Sequence, residues 1–468
     1  MKFKMKKVVL FLVVTLLMTT IAGCTGVSRE NSSDGKVTIS VGNWPAETSK
    51  ADRERMDKLR EDFMKQNPDI EIVPDTWAYS PQTFMIKASG NQLPTLYSAA
   101  FTEAELFKNG SYAADIRFAL EKSNILNSIN PDLLSMVTDE NGKVVALPRE
   151  AYAQGLFINK AIFKQAGLVN EDGSVKVPTT YQELAEYGKI IREKTGLAGL
   201  AYPTTGNCGG WHLMNIAWSF GVEFEQQDSN GKWKAAFDTK EFRDVLQYMY
   251  DLKWKYNALQ DDSFIDAMEQ RKQYGTSQAA MTILDPNSAS GIAAQYGMNM
   301  DDIMAVRLPE GPEGRYSQMG GQFWVVNSNA TPEQIEACVK WLEFTGLTPK
   351  VTEESKKTWA DTAKTSNEKG AIVFGRDAYM LWVDAERTNA QASALEQYVN
   401  VDMKNFEDYF SFDGVTIKPE PSAIAQELYS VLDSAIQSVI TDKSVNIDEV
   451  AQNAAEDFQI NHLDKMDY

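Results

Sequence analysis

Aromatic and planar polar side chains recur in this 468-residue sequence at the ends of short β-rich runs. Asn43 and Trp44 close "KVTISVGNW", and Phe101 with Thr102 follows "PTLYSAA". Glu150 and Tyr152 alternate onto one side of "ALPREAYAQG" if that segment is extended, with Arg149 facing away. Trp211 and His212 lie in "GNCGGWHL", Asp285 follows "AAMTIL", and Gln322 and Phe323 follow the pair Gly320-Gly321. Ligands of α/β sheets bind outside the carboxyl ends of the strands, so these positions are candidates for one site. The chemistry they suit is recognition of a sugar ring. Flat aromatic surfaces cover its apolar C–H faces, and carboxylate, amide and guanidinium groups pair with its belt of hydroxyls. Gly320 and Gly321 would let backbone N–H groups approach such a ring closely.

Each candidate has a packing alternative. Most tryptophans pack in cores, and Trp218, Trp254 and Trp341, on helical stripes, are assigned there. His212 is more often a satisfied structural histidine than a contact. Glu150 also fits an ion pair with Arg149, and Asp285 also fits a cap on the turn at Pro286. Phe323 and Trp324 point to opposite faces of a strand, so one of them is core; Phe323 is assigned to the site. Two histidines, His212 and His462, argue against a His-built metal centre, and no cofactor is expected. The chain contains no GxSxG, HExxH or GxxxxGKS string.

Short β-rich runs alternate with amphipathic helices, the grammar of layered α/β folds. "ADRERMDKLREDFMKQNPD" places Met56, Leu59 and Phe63 on one stripe. "PTTYQELAEYGKIIREKTG" opens with a capping box from Thr180 to Glu183, and "TPEQIEACVKWLEFTG" opens with Thr331 as N-cap before Pro332. A chain of this length, 43% apolar, is expected to form two domains.

Lys2, Lys4, Lys6 and Lys7 precede an apolar run of about eleven residues, too short to span a bilayer. "IAGC" then resembles a bacterial lipoprotein signal, which implies removal of residues 1–23 and acylation of Cys24. The polar stretch 24–36 reads as a flexible tether. Losing four lysines and no acid moves the formal charge from −19 to −23, a surface that would repel nucleic acid and anionic lipid. Cys208 and Cys338 either pair or stay free.

The strings "LREDFMKQNPDIEI", "ASGNQLPTLY", "NGKVVALPREAYAQGLFINKAIFKQAGL", "TTYQELAEYGKII", "AAMTI" and "VRLPEGPEGR…MGGQFWVVNS" resemble, in kind and order over roughly 37–345, one family. It is the maltose-binding-like extracellular solute-binding proteins (family 1), receptors of ATP-driven importers. The resemblance implies a two-lobed, periplasmic-binding-protein-like α/β fold with a hinge of crossing strands. One lobe would hold residues 37–147 and 286–329, the other 148–285 and 330–468. It further implies a lipid-anchored monomer at the outer face of the cell membrane, without enzymatic activity. That monomer would capture a carbohydrate between its lobes and deliver it to the transmembrane subunits of an ABC permease. Trp211 matches an aromatic stacking position of the family, and Tyr152 a position that often contacts ligand. Two departures stand out: "MTI" is followed by Asp285-Pro286-Asn287 rather than an aromatic, and no acid stands at Ser98–Ala100. Trp382 lies in a segment outside the resemblance and is a further candidate for the cleft. The competing readings are a surface glycan-degrading enzyme, a receptor for a polyamine or peptide, and a structural lipoprotein.

Overall fold

The computed structural model describes residues 35–377, 379–421 and 423–466; the expected leader, Cys24 and all but the last two residues of the expected tether lie outside them. Twelve strands fall into two main sheets and a hairpin. They are β1 Val37–Val41, β2 Ile70–Pro74, β3 Leu96–Ala100, β4 Ala146–Ala153, β5 Gly155–Asn159 and β6 Ala198–Ala201, then β7 Glu225–Gln227, β8 Trp233–Ala235, β9 Ala279–Leu284, β10 Ile303–Val306, β11 Arg315–Val326 and β12 Val415–Lys418.

The first sheet runs β12-β11-β3-β1-β2, with β4 also paired to β11. Alternation in β1 sends Ile39 and Val41 inward, where Phe63 of the helix Lys50–Gln66 meets them in one core. A late helix, Pro332–Phe344, completes that core with Cys338 and Trp341. It starts with a full capping box, in which Thr331 Oγ1 accepts from the Gln334 N–H at 3.3 Å and Gln334 Oε1 accepts from the Thr331 N–H at 3.0 Å. At Thr180 the box is only half formed. Its hydroxyl accepts from the Glu183 N–H, but the Glu183 carboxylate turns to the N–H and hydroxyl of Thr179, both at 2.7 Å.

The second sheet runs β10-β5-β9-β6. Every residue of β5 is buried because helices cover both faces: Leu156 and Ile158 enter one core, Phe157 another. Between β4 and β5 the chain crosses from the first sheet to the second at Gln154 alone.

Two expected boundaries move. Strand β10 was expected in the first lobe, but it pairs antiparallel with β5, and Ile303 and Ala305 pack with Phe157. The return to the first sheet therefore lies within β11, whose Met319 faces Ala153 of β4, and not at Asp285. The helix Pro332–Phe344, expected in the second lobe, packs on the first. A short apolar strand fits either sheet, and only its partner decides.

Strand β11 is longer than "QFWVVNS" because pairing continues through Gly320 and Gly321 to Arg315, beside β12. At the crossing, the Gln154 N–H donates to Ser317 Oγ at 2.8 Å, the Gln318 N–H to Asn215 Oδ1 at 2.8 Å, and Gln318 Nε2 to the Tyr429 hydroxyl at 2.7 Å. Cys208 and Cys338 are free. Among the described residues no helix is long and apolar enough to cross a membrane.

Candidate functional site

The strand ends of the first lobe sort the expected residues into two groups. Asn43 adopts a left-handed backbone with φ 58°, and its Oδ1 accepts the Ser98 N–H at 2.9 Å. It thus ties the ends of β1 and β3 while remaining partly accessible. Trp44 is only 2% exposed, its ring stacked on Trp341 at 6.0 Å and its indole N–H donated to Asp57 at 3.0 Å. The expectation of an open ring is corrected: the late helix covers it. Phe101 and Phe323 are likewise core residues, stacked on one another at 5.8 Å. The phase of β11 was assigned to the wrong face. Phe323 points into the first core at 0% exposure, while Trp324 is the partly exposed one. Trp382 is buried in that core too.

In their place the first lobe offers Tyr79 and Glu103, which sequence reading passed over. Glu103 stands on the 3₁₀ turn Phe101–Glu103 directly after β3, and its Oε2 accepts the Tyr79 hydroxyl at 2.8 Å. Burial raises the Glu103 carboxyl above the usual range, against the lowering effect of hydrogen bonds from Tyr79 and Thr102. The signal was an acid one turn beyond the position searched.

On the crossing strand, Glu150, Tyr152, Gly320 and Gln322 share one face by register, since Tyr152 pairs with Gly320 and Glu150 with Gln322. The missing side chain of Gly320 is what seats the tyrosine: a Cβ there would stand 2.4 Å from Tyr152 Cε2. Arg149 does not face away. A register shift between Gln322 and Phe323 brings it to the same face, over the Trp324 ring at 5.3 Å and within 3.3 Å of Gln322 Oε1.

In the second lobe, Trp211 sits on the first turn of the helix Cys208–Ser219, after β6. Its ring is partly exposed, and its N–H donates to Glu420 Oε1 at 2.7 Å. Glu420 follows β12 and also went unnoticed in the sequence. Burial pushes its carboxyl up to about 8, and the Glu103 charge adds to that rise. The exposed Glu427, on the first turn of the helix Ala425–Thr441, raises Tyr79 and Glu103 as well. The charges of Glu420 and Glu427 thus act on Glu103, which puts these groups in one electrostatic neighbourhood.

His212 is sealed inside the second lobe, with Nδ1 2.7 Å from the Cys208 carbonyl and Nε2 3.2 Å from that of Ile283. Burial lowers it to about 4, so it is a neutral structural histidine and not a cleft contact. Asp285 takes the capping role, its Oδ1 accepting the Ser288 N–H at 2.9 Å at the start of the helix Pro286–Ser290. It is buried there, yet its charge reaches Glu150 and Tyr152.

Aromatic rings, Trp211 and Tyr152, therefore stand near carboxyls held above their usual range. Such carboxyls keep a proton to higher pH and can donate as well as accept hydrogen bonds. Among the described residues no cluster of three or more His, Cys, Asp or Glu could hold a metal ion. A pocket of about 200 Å³ opens beside Glu150, lined also by Arg149, Asn287, Arg376, Asp377 and Tyr379. A larger hollow of about 500 Å³, lined by Thr205, Phe264, Met268 and Tyr296, contains none of the strand-end candidates.

Comparison with known proteins follows the same lines. The family described as bacterial extracellular solute-binding protein matches residues 46–346. The polygalacturonan/rhamnogalacturonan-binding protein YtcQ of Bacillus subtilis is 25% identical over 71% of this chain and 68% of its own length. A multiple sugar-binding protein of Streptococcus mutans is 24% identical over 45% of this chain and 47% of its own. Among solved structures, an ABC transporter solute-binding protein of Thermotoga lettingae bound with α-D-tagatose superposes with a TM-score of 0.66 at 18% identity, covering 92% of this chain and all of that one.

Proposed function

This chain belongs to the bacterial extracellular solute-binding proteins, and from that premise we propose that it is the carbohydrate receptor of an ABC importer. The observation that carries the reading is the facing of Trp211 and Tyr152 with the Glu103–Tyr79 and Glu420 groups across the cleft. Rings without a charge of their own suit the C–H face of a sugar, and paired acids and amides suit its hydroxyls. Two relatives named for binding polysaccharide or sugar support the same choice.

The sugar is captured in the open cleft and held from both lobes, which favours the closed population. Motion is absorbed at the few residues where the chain crosses, Gln154 and the segment of β11 around Ser317 and Gln318. The closed form then docks on the permease, and ATP is hydrolysed by another subunit. Cys24 carries the lipid that keeps the receptor on the outer face of the membrane. No bond of the sugar is broken.

Saturating ligand stabilises the fold by RT ln(1 + [L]/Kd), about 2.7 kcal/mol at a hundredfold excess over Kd. A thermal-shift screen over mono- and oligosaccharides, polyamines and peptides is the test. A rise with an oligosaccharide recovered intact is the expected result; turnover of the sugar, or no shift with any saccharide, would overturn the reading. The acids Glu103, Glu420 and Glu427 favour a second reading, a cationic polyamine, which the same screen separates.

A further inference from the structure

The pocket beside Glu150 holds two arginines that form no ion pair among the described residues. Among the described residues no carboxylate oxygen lies within 4.0 Å of either Arg149 or Arg376, although acids outnumber cations by 65 to 46 in the chain. Both side chains are exposed. Each is held by its flat face: Arg149 over Trp324 at 5.3 Å, Arg376 over Phe410 at 4.6 Å. Stacking fixes a guanidinium while leaving its in-plane N–H donors available. The hydrogen bonds of Arg149 to Ser98 and Gln322 use Nη1 alone.

The acids of the pocket form no ion pair with these guanidiniums, although Arg149 acts on Glu150 and Arg376 on Asp377. Asp377 turns toward Arg387, 3.8 Å away, and accepts from Gln391 at 3.0 Å. Glu150 is bridged to the Asn287 amide at 3.4 Å, and burial raises its carboxyl, with Asp285 adding to the rise against Arg149. The Tyr379 ring supplies the flat surface of the wall. At about 200 Å³ the space is smaller than the roughly 300–1,000 Å³ of whole-ligand sites, and suits one unit of a longer chain.

We propose that this pocket is the subsite for an acidic sugar residue, a uronate whose carboxylate is gripped between Arg149 and Arg376 while Tyr379 covers its ring. A carboxylate is planar and presents two oxygens, the pattern an arginine fork meets in a bidentate pair. The assignment rests on the carbohydrate reading above and narrows it: the oligosaccharide carries a negative unit at this end, and its neutral part lies along Tyr152 and Trp211.

Calorimetric titration of the soluble chain from residue 35 onward tests it, with two matched pairs of probes: trigalacturonate against galactotriose, and glucuronate-capped xylobiose against xylotriose. Galactose 6-phosphate and inorganic phosphate complete the set. At least one acidic probe is expected to bind tenfold or more tightly than its neutral match, with an affinity that weakens as salt is raised. In Arg376→Gln that acidic-to-neutral ratio falls at least tenfold while the melting temperature of the free protein stays put. Arg149→Gln gives the same fall and serves if the first variant melts early. Neutral probes binding as tightly as acidic ones would remove the uronate assignment and leave the carbohydrate receptor standing. A phosphate probe binding more tightly than either uronate would remove it too. Silence from every saccharide would remove both.

Discussion

Trp44 in the first lobe and Trp211 in the second both follow the carboxyl end of a parallel strand, yet Trp44 is closed under Trp341 while Trp211 keeps an accessible ring beside Glu420. Local sequence does not separate them. What separates them is where a late helix lands: Pro332–Phe344 puts Trp341 on the Trp44 ring, whereas Ala425–Thr441 packs on Gly210 beside Trp211 and leaves that ring partly exposed. An aromatic at a strand end is thus a candidate only until the elements that arrive later are in place.

That contrast can be broken by substitution. Trp44→Ala removes a buried ring from the first core and is expected to cost about 3–5 kcal/mol of unfolding free energy in denaturant titration, leaving ligand affinity of the folded fraction unchanged. A weakened ligand with intact stability would reverse the roles assigned to the two rings.

Gly320→Ala places a Cβ against the Tyr152 ring and must displace it. About 1–3 kcal/mol of stability is expected to go, together with affinity for the ligand identified by the screen. An alanine variant that binds as well as the parent would show that the seat of Tyr152 is irrelevant to binding.

Trp211→Ala is expected to weaken the same ligand by about tenfold, about 1.4 kcal/mol, with a smaller effect on melting than Trp44→Ala. Calorimetry on the two variants side by side sharpens the comparison: a stability loss at Trp211 equal to that at Trp44 would mean that both rings are packing.

The remaining effect is in pH. Glu420 holds its proton to about 8 in the folded chain against 4.5 ordinarily, so the folded state binds more protons across that window, and stability falls as pH rises from about 4.5 to about 8. His212 gives the opposite slope over an overlapping range, about 4 to 6.5. It is neutral down to about 4 when folded and charges near 6.5 when unfolded, so stability is lost as pH falls through that range. Between about pH 4.5 and 6.5 the two slopes offset each other, so Glu420→Gln should flatten the melting-temperature profile between about pH 6.5 and 8 and uncover the His212 slope below that. An unchanged profile would place Glu420 in ordinary solvent.

Much of the architecture was readable from the chain. Alternation of strand and helix pointed to the α/β class and Thr331–Pro332 to a helix start, because periodicity and caps are set by neighbours within a few residues, while the two lobes were implied by the family resemblance of the local strings. Glu150, Tyr152, Trp211 and Gln322 remain partly exposed, whereas Trp44, Phe101, Phe323 and His212 are interior and Asp285 is a cap. The phase of β11 failed at Phe323 because two adjacent aromatics, Phe323 and Trp324, satisfy either face, and only pairing with β3 and β4 chooses.

The sequence by itself determined which segments could form strands and helices and how they are capped, for those choices depend on local propensity and short-range hydrogen bonds. Tertiary structure alone decided that β10 joins the second sheet, that Arg149 turns to the Gln322 face at a bulge, and that Glu420 and Glu427 come near enough to act on Glu103. It also brought Arg149 and Arg376 to one pocket from segments more than two hundred residues apart. No short-range rule couples such positions. The energy that selects the pairing comes from burying surfaces that meet only once the whole chain has folded.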